Sequence, residues 1–211
     1  MQTSLSRREE NRLARRKAIL DVARDVFLDR GYAATSMSEI ACMLGGSKGT
    51  LWAHFPSKET LFAAVVEDAV SAFHATMEDV FSAGLTQRQT LESFASKFVA
   101  KLTSPAALRL HRVITGEAER FPELGMIFYD RGPQQVLDRL GLYLTAEMQA
   151  GRMREADTLS AARQLVGMLH LPQQLLLWNA PLSLDDEGTA RHIHAVVDTF
   201  LRAYAPDSQI R

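Results

Sequence analysis

From Arg12 to Arg30 the apolar positions Ile19, Val22, Ala23, Val26 and Phe27 recur at the i, i+3, i+4, i+7, i+8 spacing of a helix buried on one face. Gly31 ends that helix as a left-handed cap. The stretch Ser36-Met37-Ser38-Glu39 then has the form of a capping box, and Met37, Ile40, Ala41 and Leu44 give a second helix its apolar stripe. This helix lasts barely two turns before Gly45-Gly46. Ser47 caps a third helix, which Leu51 and Phe55 anchor and Pro56 closes, because proline disfavours helical geometry in the residue before it. Ser57 caps a fourth, with Glu59 in its first turn and Leu61, Phe62, Val65, Ala69 and Phe73 along its buried side, running to about Ala83.

Beyond Gly84 every long segment again has helical spacing: 87–103, 105–120, 122–150, 158–179 and 185–205, with a kink expected at Pro172. No segment alternates with the period of a strand, and there is no internal repeat. The predicted fold is all-α, a three-helix helix-turn-helix unit followed by a larger helical body. The expected division is a front domain at 1–57, which includes a basic N-terminal arm, and a rear domain at 58–211. Helix 58–83 connects the two, since no proline- or serine-rich linker intervenes.

Composition adds limits rather than a function. The chain has 211 residues, 46% of them apolar, enough for one large or two modest cores. It carries no apolar run of membrane-spanning length and no secretory signal, so a cytoplasmic location is expected. The single cysteine, Cys42, excludes an intramolecular disulfide and a cysteine-rich zinc site. The net charge of −1 hides an uneven distribution: residues 1–60 carry 10 Lys and Arg against 7 Asp and Glu. The basic excess sits at the front, where Arg7, Arg8, Arg12, Arg15, Arg16 and Lys17 cluster ahead of the helix pair.

With Leu51 and Phe55 pointing inward, the third helix turns Gly49, Thr50, Trp52 and Ala53 outward, flanked by Lys48 and His54. A tryptophan that meets only solvent on a two-turn helix is unfavourable, so a partner is expected there. Two small residues allow close approach, and the threonine suits a base edge or a thymine methyl. Ser36, Ser47 and Ser57 each open a helix whose first N–H groups suit phosphate oxygens, and Lys58 adds a cation.

Residues 19–66, ILDVARDVFLDRGYAATSMSEIACMLGGSKGTLWAHFPSKETLFAAV, resemble the DNA-binding domain of the TetR family of bacterial transcriptional regulators. The match runs through G-[YF]-x-x-T-[ST], I-A, G-x-S-K-G-T-L, H-F and S-K-E-x-L-F. Residues 108–137 are similar to the ligand and dimer domain of its AefR-like branch. The resemblance implies a homodimer that sets two third helices in successive major grooves of a near-palindromic operator, usually to repress. It places Lys48, Gly49, Thr50, Trp52, His54 and Lys58 at the DNA, with Thr35 and Ser36 at the start of helix two. Two departures bear on the operator sequence: Gly46 stands where the family usually has valine, and Trp52-Ala53 replaces an aromatic pair beginning with tyrosine.

For the rear body the resemblance implies a pocket for a small effector. Phe94, Phe98, His111, Ile114, Phe128, Tyr129, Tyr143, Met168 and Trp178 are the apolar and aromatic material for it, though such residues at helical spacing also serve as plain core. Ile193, Val197, Phe200, Leu201 and Tyr204 line one face of the last helix. Paired with Leu165, Leu169, Leu176 and Leu177, they are the expected dimer interface, a four-helix contact with a second copy. His192 and His194, two apart on a helix, point to different sides and do not make a metal site; no metal and no cofactor are expected.

The partners expected are thus double-stranded operator DNA, a second copy of the chain and an unknown small molecule, with no membrane. Competing readings are a ligand-independent regulator, an all-α enzyme, and an interaction adaptor that keeps the helix-turn-helix as scaffold. An enzyme would need a nucleophile–base pair or a metal constellation, and no glycine-rich phosphate loop, H-E-x-x-H or G-x-S-x-G occurs.

Overall fold

The computed structural model describes residues 6–45, 48–180 and 185–206, leaving aside the Lys48 side chain. Among these residues there are eleven helices and no strand. They are α1 Arg7–Arg30, α2 Met37–Met43, α3 Lys48–His54, α4 Lys58–Ser82, α5 Gln87–Thr103, α6 Pro105–Glu117, α7 Pro122–Arg131, α8 Pro133–Gln149, α9 Thr158–Leu169, α10 Leu171–Leu177 and α11 Asp186–Ala203.

The first helix begins earlier than its apolar spacing suggests. Ser6 accepts from the Glu9 N–H while the Glu9 carboxylate accepts from the Ser6 N–H, a full capping box with Glu9 and Glu10 in the first turn. The basic run is therefore the opening turns of α1, not a separate arm. The box expected at α2 is only half made. Ser36 accepts from the Glu39 N–H at 3.2 Å, but the Glu39 side chain is drawn to Arg30 instead.

The helix expected over 122–150 is two helices. Gly132 leaves helical geometry at φ −113°, ψ −88° ahead of Pro133, whose ring disfavours a helical residue before it. Likewise Pro172, at the start of α10, turns the expected kink into a break at His170.

The chain forms two compact units. One takes residues 1–70 and 110–132; the other takes 71–109 and 133–211. Both α4 and α6 run from one unit into the other, and the chain crosses again between α7 and α8. The first core gathers Ile19, Ala23 and Phe27 of α1, Tyr32, Ile40 of α2, Leu51 of α3, Phe55 just after it, Leu61 and Phe62 of α4, Ile114 of α6 and Leu124 of α7. Apolar residues of α6 and α7 complete it, which local spacing in the front sixty residues cannot show. The second core holds Met77, Leu91, Phe94, Phe98, Leu140, Leu144, Leu165, Leu169, Val197 and Phe200.

Candidate nucleic-acid interface

The helix-turn-helix is built on a small aromatic centre. Tyr32, 1% exposed, stacks on Phe27 at 5.7 Å and meets Phe62 and Phe121 edge-on, each at 5.3 Å. Burial, and then the negative charge of Glu59, push the Tyr32 phenol well above its usual range, so it stays protonated and donates to Glu59 at 3.2 Å. Leu51 and Phe55 drive the inner side of α3 into this core. Arg16 of α1 stacks over Phe55 with its guanidinium carbon 4.8 Å from the ring centroid.

The outer side of α3 is as the spacing predicts. Gly49, Trp52 and Ala53 are exposed, Thr50 and His54 half-buried, and Trp52 keeps 38% of its surface open. The His54 ring lies tilted beside Phe55, 6.3 Å between centroids. Gly46 and Ser47 lie outside the described residues, as does the side chain of Lys48.

Of three other predicted contacts, Ser36 sits where the sequence puts it, whereas Thr35 and Lys58 are placed differently. Thr35 is 2% exposed and its hydroxyl donates to the Gly31 carbonyl at 2.7 Å, so it faces the interior. Ser36 is exposed, its hydroxyl capping α2. Lys58 donates to the carbonyls of Tyr32 and Thr35 at 2.9 and 3.0 Å and sits 4.1 Å above the Tyr32 ring, which commits two of its three N–H groups. A residue that local sequence does not single out joins them: the Glu117 carboxylate accepts from the N–H groups of Tyr32 and Ala33 at 2.6 and 2.7 Å. No sequence signal reaches across the 85 positions that separate these partners.

The residues expected to line one effector pocket divide between the two units. His111, Ile114, Phe128 and Tyr129 belong to the first, where His111 meets the Phe128 ring edge-on at 6.4 Å. Phe94, Phe98, Tyr143, Met168 and Trp178 belong to the second. There Phe94 and Phe98 stack at 5.5 Å, and Phe81 lies against both Phe94 and Tyr143. Burial pushes the Tyr143 phenol up to about 12. Met168 is packed beside this cluster, whereas Trp178 is 70% exposed.

Of the residues expected at the dimer interface, Leu165, Leu169, Ile193, Val197, Phe200 and Tyr204 are buried in the second core of their own chain. Leu176, Leu177 and Leu201 are half-buried. An amphipathic face demands cover, and here the same chain supplies it. Of the two histidines on α11, His192 is half-buried, while His194 is exposed with its Nδ1 3.3 Å from Glu92.

A short helix anchored by two inward residues, set after a turn on a second short helix and presenting its other side to solvent, is the architecture of a helix-turn-helix DNA-binding regulator. The chain belongs to the TetR family of bacterial regulatory proteins. That family's model matches residues 19–65, and the C-terminal domain of AefR-like transcriptional repressors matches residues 89–206, over half of the chain. This is a family of non-enzymatic regulators of transcription that bind DNA through the helix-turn-helix.

The chain is similar over nearly its whole length to two solved structures. One is a TetR-family transcriptional regulator of Mesorhizobium loti MAFF303099, 30% identical with a TM-score of 0.79, covering 91% of this chain and 98% of that one. The other is the flavonoid-responsive regulator FrrA, 30% identical with a TM-score of 0.77, covering 91% and 97%. It is 32% identical over 82 residues to the transcriptional repressor KstR2 of Rhodococcus jostii RHA1, which is 39% of this chain. The transcriptional activator FasR of Mycolicibacterium smegmatis is 37% identical over 94 residues. The chain spans only 40% and 43% of the length of these two curated relatives. No described helix is long and apolar enough to cross a membrane.

Proposed function

We propose that the protein is a homodimeric repressor that binds a near-palindromic operator through α3 and is released by a small apolar or aromatic effector. The observation that carries this reading is the outer side of α3, where Trp52 stays exposed beside Gly49, Thr50, Ala53 and His54 while Leu51 and Phe55 hold the helix in place. The small residues bring the helix backbone close to a groove floor, Thr50 and Trp52 meet base edges, and Lys48 reaches a phosphate. Ser36 and Ser47 offer further phosphate contacts. Lys58 and Thr35 act from behind, shaping the turn rather than touching DNA. The site of action is the cytoplasm.

Support for an aromatic effector comes from FrrA, whose name states a response to flavonoids. The stacked rings of Phe81, Phe94, Phe98 and Tyr143 in the second unit are aromatic material of matching chemistry. The effector must bind the DNA-incompetent arrangement more tightly than the competent one, since only differential affinity shifts the equilibrium. Support for a second copy comes from Leu171, which opens α10, and Trp178, which caps its end; they are 46% and 70% exposed, seven positions apart.

Substituting Lys48 and Trp52 together with alanine tests the reading. The double variant should lose operator binding in gel-shift assays with genomic fragments while keeping its dimer mass and melting temperature. Undiminished DNA affinity would defeat the mechanism. A panel of flavonoids and other aromatic compounds should contain one that raises the melting temperature and weakens the shift.

A further inference from the structure

Two charged side chains converge on the loop between α1 and α2, and each comes from the end of a helix that continues into the other unit. Glu117 is the last residue of α6 and Lys58 the first residue of α4. Glu117 Oε1 and Oε2 accept from the Tyr32 and Ala33 N–H groups at 2.6 and 2.7 Å. Lys58 Nζ donates to the Tyr32 and Thr35 carbonyls at 2.9 and 3.0 Å. The loop therefore has its amides on a carboxylate and its carbonyls on an ammonium. Charge-assisted bonds of this kind are about twice as strong as neutral ones.

Neither residue is explained by its own helix. A carboxylate at a helix C-terminus and an ammonium at an N-terminus both oppose the helix dipole. Gly31 makes the approach possible: its φ of +81° suits glycine, and a Cβ there would collide with the Glu117 carboxylate. The loop then hands its geometry forward. The Thr35 N–H returns to the Tyr32 carbonyl at 3.2 Å, the Thr35 hydroxyl binds the Gly31 carbonyl, and Ser36 caps α2, on which α3 is packed.

We propose that Glu117 is a positioning residue for DNA binding: with Lys58 it clamps the Tyr32 loop and so fixes the direction in which α2 and α3 leave α1. The proposal rests on α3 being the DNA-reading element.

Electrostatics and positioning predict opposite signs for one variant. Removing an acid from a DNA-binding unit should tighten binding to a polyanion, whereas loosening the clamp should weaken it. The probe is the duplex that the wild-type protein selects from a random-sequence pool, titrated over a salt series. Glu117→Gln should bind it at least tenfold more weakly with the salt slope unchanged and the dimer intact. Glu117→Asp, which retains the charge but withdraws its reach, should also lose affinity.

Lys58→Met should lose affinity with the slope unchanged; a slope lowered by about 1 would assign Lys58 to a phosphate and overturn the clamp. Glu117→Gln binding as tightly as the wild type or more so would overturn it too. Hydrogen exchange on the wild type needs no variant to fold. The Tyr32 and Ala33 amides should exchange at least tenfold more slowly than in an unstructured peptide of the same sequence, and equal rates would defeat the proposal. A wild-type protein that selects no duplex would instead defeat the DNA-binding reading, leaving the exchange result to decide the clamp.

Discussion

The third helix and the last one both show an apolar set that asks for cover, and they receive it in opposite ways. In α3 two residues, Leu51 and Phe55, enter the core of the first unit, and Trp52 is left facing out. In α11 the whole set, Ile193, Val196, Val197 and Phe200, is taken up by the second core of the same chain. Helical spacing says which side of a helix is covered. It does not say which element, or which molecule, does the covering.

Phe200→Ala gives the strongest test of that contrast. Truncating a fully buried phenylalanine removes its transfer energy and leaves a cavity, so the second unit should lose ~3–5 kcal/mol in denaturant unfolding. If the variant instead kept its unfolding midpoint and merely came apart from its partner, the face would be intermolecular after all. Trp52→Ala should do the reverse, leaving stability within ~0.5 kcal/mol of the wild type. Operator affinity should fall at least tenfold, measured by fluorescence anisotropy.

Ser6→Ala removes the cap of α1 and should cost about 1 kcal/mol, read as a lower melting temperature. It probes how firmly the basic opening turns are held as helix. The smallest effect is expected from acid. Hydrogen bonds from Arg152, and then from Gln87, hold the Glu147 carboxyl below the usual carboxylate range. A depressed folded-state pKa gives stability that is complete above the unfolded value of about 4.3 and is lost as pH falls through the folded one. Below about pH 4 the wild type should therefore lose a margin that Glu147→Gln does not. Exposure of Arg152 screens that margin, so it should be far smaller than the Phe200 effect.

The front of the chain was the more legible part. Its second and third helices are short, each stops close to a glycine or proline, and their anchors lie within a turn of one another. The outward set of α3 followed from Leu51 and Phe55 alone. Ser6 and Glu9 also carried a readable signal, the Ser-x-x-Glu box, which the apolar spacing starting later obscured. What the sequence could not display depends on distance along the chain. Lys58 looks like a surface cation until the Tyr32 and Thr35 carbonyls are found beneath it, and Glu117 looks like any acid at a helix end. The grouping of residues 110–132 with the front unit has the same origin. The exposed Trp178 differs from the exposed Trp52 only in what surrounds it, and no spacing rule separates them.

The first core draws on α6 and α7, and this bears on the order in which the protein can be made. A ribosome delivers the helix-turn-helix first, yet Leu110, Ile114 and Leu124, and the carboxylate of Glu117, emerge only after the whole of α5. Until residue 132 has left the exit tunnel the nascent head lacks part of its interior and one jaw of its loop clamp. The helix-turn-helix therefore cannot complete its own interior when it first emerges, and a finished first core arrives late in synthesis.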